Sequence, residues 1–145
     1  MSAEPLRITL GLGCDRGTPT ATLAQAVDEA LAELTQRLAM PLEIIAAASI
    51  DLKADEIGLL ELARNRCWPL SFYPATQLAT VAVPHPSETV RRYTGTPSVS
   101  EAAALLLAGS TDAPAAMSHL LIEKHRVRGA DGRNATVSIA RTSTE

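Results

Sequence analysis

Three short stretches of the sequence combine residue types that bind anions. The first runs Gly11-Leu12-Gly13-Cys14-Asp15-Arg16-Gly17-Thr18, between an apolar segment and a helical pattern. Amides at a helix start carry partial positive charge, and together with the Arg16 guanidinium they favour a carboxylate or a phosphate. The alternative is that the glycines only allow a tight strand-to-helix turn. The candidate binding residues of this stretch are Gly13, Cys14, Arg16, Gly17 and Thr18.

The second stretch, Ser49 to Leu59, follows a predicted strand at the sheet edge where open α/β proteins place their ligands. Its acidic residues have a structural alternative, because carboxylates stabilise a helix start. Lys53 does not fit that alternative, since a cation at a helix start opposes the helix dipole. We therefore expect Lys53, like Arg16, to contact a ligand carboxylate, and we add Glu56 to the candidate site.

The third stretch, Thr94 to Glu101, places hydroxyl groups and free amides at the start of another helix. Ser98, Ser100 and Glu101 are its candidate binding residues. A capping box between Ser98 and Glu101 would by itself explain two of them.

Several kinds of site are excluded by spacing. The first stretch is not a dinucleotide fingerprint, because four residues instead of three lead to its last glycine, and no nucleotide P-loop or Ser-His-Asp order is present. We therefore predict no cofactor. His85, His119 and His125 lack an accompanying pattern of acidic residues, so no metal site is predicted either.

Composition narrows the class of protein. A net charge of -3 with scattered Lys and Arg argues against binding to nucleic acid, and no apolar run is long enough to span a membrane. Two cysteines far apart in the sequence suggest no disulfide framework, which favours a reducing cytoplasm. A chain of 145 residues suits one domain, residues 1–145.

Hydrophobic periodicity predicts alternating strands and helices. Strands are expected over 7–12, 42–50 and 69–73, with one helix capped by Thr18 and a second opened by the polar residues 51–56. Prolines at 69, 74, 84, 86 and 97 indicate short helical pieces joined by turns, before a helix from Ser98 to Gly109. Segments 119–127 and 134–141 predict a closing hairpin.

These elements predict an α/β fold, a three-layer α/β/α sandwich whose mostly parallel sheet carries an antiparallel C-terminal hairpin. In such a sheet the three candidate stretches meet at one edge, because each follows a strand or opens a helix there.

The motifs GLGCDRGT, SIDLKADEIGL, PLSFY and TGTPSVSEAAAL, together with Lys124 and TVSIAR, resemble the CbiG/CobE C-terminal domain family of cobalamin (vitamin B12) biosynthesis. The resemblance extends from Ile8 to Arg141. It implies a role in the aerobic conversion of precorrins to the corrin ring and a precorrin-type tetrapyrrole as the bound small molecule, with other enzymes of the pathway as possible partners.

Three functions are compatible with this resemblance. The chain binds and passes on a tetrapyrrole carrying many carboxylates; or it is a hydrolase that opens a precorrin lactone, with Cys14, Asp51 or Glu101 as candidate catalytic residues; or it is a structural subunit of a biosynthetic complex. No set of residues in the sequence selects one mechanism.

Overall fold

The computed structural model describes residues 4–96 and 98–142; Pro97 of the predicted proline-rich region lies outside them. The strands are β1 (Leu6–Cys14), β2 (Leu42–Ile50), β3 (Leu70–Tyr73), β4 (Leu120–Arg128) and β5 (Asn134–Arg141). The helices are α1 (Thr20–Leu38), α2 (Ile57–Arg66), α3 (Ala75–Leu78), α4 (Glu88–Thr94) and α5 (Val99–Ala108). Short 3-10 turns cover Asp51–Lys53 and Met117–His119.

The five strands form one mixed sheet in the order β3-β2-β1-β5-β4. β1, β2 and β3 are parallel, whereas β5 is antiparallel to both of its neighbours. β4 therefore runs in the same direction as β1, and its carboxyl end reaches the same edge of the sheet as the carboxyl ends of β1 and β2. The predicted α/β fold with an antiparallel C-terminal hairpin is confirmed.

Alternation along β1 separates two cores. Ile8, Leu10 and Leu12 are buried in a cluster with the apolar faces of α1 and α2, because successive side chains of a strand point to opposite faces. On the other face the hydroxyl of buried Thr9 donates to the carbonyl of Ala104 at 2.9 Å, beneath α5. Helices thus cover both faces of the sheet, as the three-layer prediction requires.

The alternative that these glycines only allow a strand-to-helix turn is wrong for Gly11 and Gly13, because β1 extends beyond the predicted 7–12 to Cys14. Both glycines lie on the face covered by α5. A side chain at Gly11 would overlap the carbonyl of Ser100, so α5 packs directly on the strand backbone there. Only Gly17 of this stretch needs the conformational freedom of glycine, with a φ of +82° in the turn before α1.

Two predicted helix starts are displaced. Thr18 does not cap α1, because Pro19 takes the N-cap position and the Thr18 hydroxyl donates to the carbonyl of Asp15 at 2.7 Å. Of residues 51–56 only Glu56, the N-cap residue, belongs to the start of α2; residues 51–55 form the 3-10 turn and the turn after it, and the helix begins at Ile57. In both cases side chains that suit a helix start are used to shape the connecting loop.

No helix among the described residues is both long and apolar enough to cross a membrane.

Candidate functional site

A cavity of about 420 Å³ lies at the sheet edge where β1, β2 and β4 end and β5 begins. Its volume falls within the range of about 300–1,000 Å³ usual for small-molecule sites, and it is partly open to solvent. The lining residues come from the β1 end, the turn after β2, helix α4, the start of α5, and the hairpin. They are Gly13, Cys14, Asp15, Arg16, Lys53, Thr89, Val90, Tyr93, Thr94, Ser98, Val99, Ser100, Lys124, Arg126, Asn134 and Thr136.

The start of α5 forms one wall of the cavity. Ser98 is the N-cap residue of this helix, but its buried hydroxyl makes no capping hydrogen bond. Glu101 is fully buried, and its Oε1 accepts a 3.3 Å hydrogen bond from the amide of His85. The reciprocal capping box predicted from the sequence is therefore wrong on both sides. The Ser98 hydroxyl and Glu101 Oε2 have no protein partner among the described residues.

Ser100 is more fully satisfied than Ser98. The Ser138 hydroxyl on β5 donates its single hydrogen to the carbonyl of Glu123 at 2.6 Å, and it accepts from the Ser100 hydroxyl at 2.9 Å. This buried chain of hydrogen bonds ties the start of α5 to the C-terminal hairpin. The two serines of the predicted site thus differ, because only Ser98 lacks a partner.

The first loop, between β1 and α1, is held against the second loop, between β2 and α2, by charged side chains. Arg16 donates to Asp55 Oδ1 at 2.8 Å and to the carbonyl of Leu52 at 2.9 Å. Its Nη1 also lies 3.0 Å from Glu56 Oε2, a salt-bridge distance without hydrogen-bond geometry. Glu56 Oε1 accepts from the amide of Gly17 at 2.7 Å. Since two carboxylates of the chain already surround Arg16, they neutralise much of its attraction for a ligand.

Two other cations of the cavity are not neutralised in this way. The side chains of Lys53 and Arg126 make no ion pair or hydrogen bond within residues 4–96 and 98–142. Lys124 lies on β4, as Arg126 does, and also lines the cavity. It donates a long hydrogen bond, 3.4 Å, to the carbonyl of His85. The acid that lines the cavity, Asp15, accepts hydrogen bonds from the backbone amide and side-chain amide of Asn134. The cavity consequently has a positive character that suits an anionic ligand.

Helix α4 closes the opposite side of the cavity. It contributes Thr89, Val90, Tyr93 and Thr94, and it contains no buried residue. Tyr93 is 80% exposed, so packing within the core does not explain this aromatic side chain. A rim tyrosine offers both an apolar ring face and a hydroxyl to a ligand.

Cys14 lies in the cavity, but its environment does not activate it. Burial raises the pKa of its thiol to about 11, although the nearby charge of Lys53 opposes that shift. Because the thiolate is the nucleophilic form, Cys14 is almost entirely an unreactive thiol at neutral pH. Here it serves as a small, weakly polar lining residue.

The structure brings together six of the ten predicted binding residues. Those that line the cavity are Gly13, Cys14, Arg16, Lys53, Ser98 and Ser100. Gly17, Thr18, Glu56 and Glu101 lie outside it; Glu56 acts on the site indirectly, through the first loop. Of the three catalytic candidates only Cys14 lines the cavity, whereas Asp51 is exposed in the 3-10 turn and Glu101 is buried beside His85.

Sequence reasoning missed the contributions of α4 and the hairpin. Arg126, Asn134 and Thr136 enter the cavity because β5 pairs with β1 in the middle of the sheet. The predicted hairpin contained these residues, but its position beside β1 is a tertiary property. Lys124 stood out only as part of the family resemblance, and Tyr93 carried no signal beyond being one of the few aromatic residues.

No group of three or more His, Cys, Asp or Glu side chains in the described ranges is placed to hold a metal ion.

The chain is similar to known proteins in both sequence and fold. Residues 8–140 match the family described as "Cobalamin synthesis G C-terminus". A cobalt-precorrin-5A hydrolase of Priestia megaterium is 38% identical over 107 residues, which are 74% of this chain and 28% of that protein. A protein CobE of Sinorhizobium sp is 38% identical over 104 residues, 70% of this chain and 66% of that one. The chain thus spans less than two thirds of either relative.

Two crystal structures resemble the whole described fold. One is CobE, described as a protein from the cobalamin (vitamin B12) biosynthetic pathway, with a TM-score of 0.72 and 33% identity over 98% of this chain and 94% of that chain. The other is the cobalamin biosynthesis protein chiG from Agrobacterium tumefaciens str. C58, with a TM-score of 0.62 and 29% identity over 94% and 99% of the two chains.

Proposed function

We propose that this chain, which belongs to the cobalamin synthesis G C-terminus family, binds a carboxylate-rich precorrin-type tetrapyrrole in the cavity at the carboxyl edge of its sheet. In this role it holds or passes on an intermediate of cobalamin biosynthesis in the cytoplasm, alongside other enzymes of the pathway. The observation that carries the proposal is the cavity itself, lined by Lys53, Lys124 and Arg126 and by one acid whose carboxylate is already hydrogen bonded.

The shape of the site supports a ligand with a large apolar surface. Gly13, Val90 and Val99 contribute uncharged lining to the cavity, and the exposed ring of Tyr93 stands at its rim. A macrocycle with peripheral carboxylates combines an apolar ring with a charged edge, so it matches both features. Because the cavity is open and α4 is an exposed wall, a ligand larger than 420 Å³ can extend past the rim.

Hydrolysis of a precorrin lactone is the second candidate, favoured by the name of the Priestia megaterium relative. Two observations weigh against it as the main activity of this chain. The raised pKa of Cys14 opposes nucleophilic attack, and Asp51 and Glu101 do not line the cavity. A purely structural role does not explain why Lys53 and Arg126 line the cavity without an ion pair in the described ranges.

The test is a titration with hydrogenobyrinic acid, a coloured corrinoid free acid, followed through its visible absorption. We expect saturable one-to-one binding with a dissociation constant at or below about 1 μM, equivalent to about 8 kcal/mol, and recovery of the ligand unchanged. Chromatography of the same mixture, and of one containing a lactone-bearing precorrin, separates the candidates. A new product would replace the binding role with hydrolysis, whereas absence of binding would refute the proposal.

A further inference from the structure

We propose that Lys53 and Arg126 grip two carboxylates on opposite sides of one ligand, so that the site selects its ligand by the distance between charges. This inference rests on the proposed function and specifies how the same site recognises its substrate class. It is carried by the sheet topology together with the pairing of the cavity's charged side chains.

The two cations stand far apart in the sheet. Lys53 follows β2 and Arg126 belongs to β4, and the order β3-β2-β1-β5-β4 puts two strands between them. Three strand spacings correspond to about 14 Å between the backbones of β2 and β4. Nevertheless, both side chains line one cavity. Because they come from opposite sides of the sheet edge, we infer that the two side chains receive anionic groups from opposite sides of one ligand.

Between these two positions the chain carries more acidic than basic side chains. Arg16, which follows β1, is paired with Asp55 and Glu56. Asp15 beside it is hydrogen bonded to Asn134 at the start of β5. With three carboxylates to one guanidinium between them, the site thus presents a cation, an acidic centre and a second cation in order across the sheet.

That order matches one kind of ligand chemistry. A macrocycle with carboxylates around its edge sets an uncharged ring on the acidic centre and a carboxylate against each free cation. A short dicarboxylate such as succinate has its two charges close together, so reaching both cations would hold its carboxylates beside the acidic centre, which repels them. The arrangement therefore discriminates against small acids and favours a wide polycarboxylate.

The experiment compares Lys53→Gln, Arg126→Gln and the double variant in titrations with hydrogenobyrinic acid. Each single substitution removes a charge-assisted hydrogen bond and is expected to weaken binding about 10-fold, with the double variant weakened about 100-fold. Lys53→Arg and Arg126→Lys, which keep the charges, are expected to retain most of the affinity. Succinate at millimolar concentration is expected not to displace the tetrapyrrole.

Arg64→Gln is the matched control, because it removes one positive charge from the exposed surface of α2, outside the cavity. Its affinity should stay within about twofold of the unaltered chain. If either cavity variant binds as the control does, or if succinate displaces the ligand, the two-point grip is refuted while the proposed function stands. Failure of the unaltered chain to bind hydrogenobyrinic acid refutes both. Circular dichroism verifies that the variants are folded.

Discussion

Replacing Gly11 with alanine is expected to lower the free energy of unfolding by about 3 kcal/mol or more. The new methyl group would overlap the carbonyl oxygen of Ser100 and lie 2.7 Å from the backbone nitrogen of Ala104. Neither group can rotate away, since both belong to the backbone of α5. Urea unfolding followed through the fluorescence of Trp68, the one tryptophan of the chain, measures the change.

Gly13→Ala is the control for this prediction. Gly13 lies two residues further along the same face of β1, yet a Cβ there would meet the Cβ atoms of Thr136 and Val99 only at ordinary distances of 3.9 and 4.0 Å. Its stability should remain within about 1 kcal/mol of the unaltered chain. Equal stability of Gly11→Ala and Gly13→Ala would show that α5 does not pack directly on β1 as the structure has it.

The second large effect concerns binding. Gly13→Val is expected to weaken the affinity for hydrogenobyrinic acid about 100-fold, or about 2.8 kcal/mol, with the fold preserved. The backbone of Gly13 does not have a positive φ, and a strand accepts valine readily. The added isopropyl group, however, would fill part of the cavity that the ligand is proposed to occupy.

A graded series makes that interpretation specific. Gly13→Ala should reduce affinity less than Gly13→Val, while urea unfolding shows similar stability for both variants. The measurement is the absorption titration used for the unaltered chain. Undiminished affinity of a folded Gly13→Val variant would place the ligand away from this end of β1.

The sequence could not predict that α5 packs directly on the backbone of Gly11 and leaves room for a side chain at Gly13. Glycines spaced around a predicted strand end indicated a turn, and a turn was the simplest interpretation of Gly-x-Gly before a helix. Their actual use depends on α5, which is more than 80 residues further along the chain. Close packing of a helix on a strand backbone leaves no local signal that distinguishes it from turn formation.

Periodic elements were predictable because their signal is local. The strand over 42–50 has the bounds of β2, and the closing hairpin pairs as β4 with β5. The candidate site was predictable only as far as its loops belong to the ends of β1 and β2. Arg126 and Tyr93 required knowledge of which strands are neighbours and of how α4 crosses the cavity, which are tertiary properties.

Which cations are paired with carboxylates was the second property that the sequence could not reveal. Arg16 and Lys53 were equally plausible carboxylate contacts from sequence, since both follow strands at the same edge. The structure separates them, because Asp55 and Glu56 surround Arg16 whereas Lys53 has no carboxylate within salt-bridge distance in the described ranges. A pattern of residues indicates which charges are present but not which of them are already compensated.

Amide hydrogen exchange, measured with and without hydrogenobyrinic acid, tests most directly whether the tetrapyrrole occupies this cavity. The account predicts slower exchange on binding in α4, over Glu88–Thr94, and at the start of α5, over residues 98–101. It predicts unchanged exchange over residues 30–38 of α1, which cover the opposite face of the sheet. Protection confined to α1, or none in α4 and α5 at saturating ligand, would contradict it.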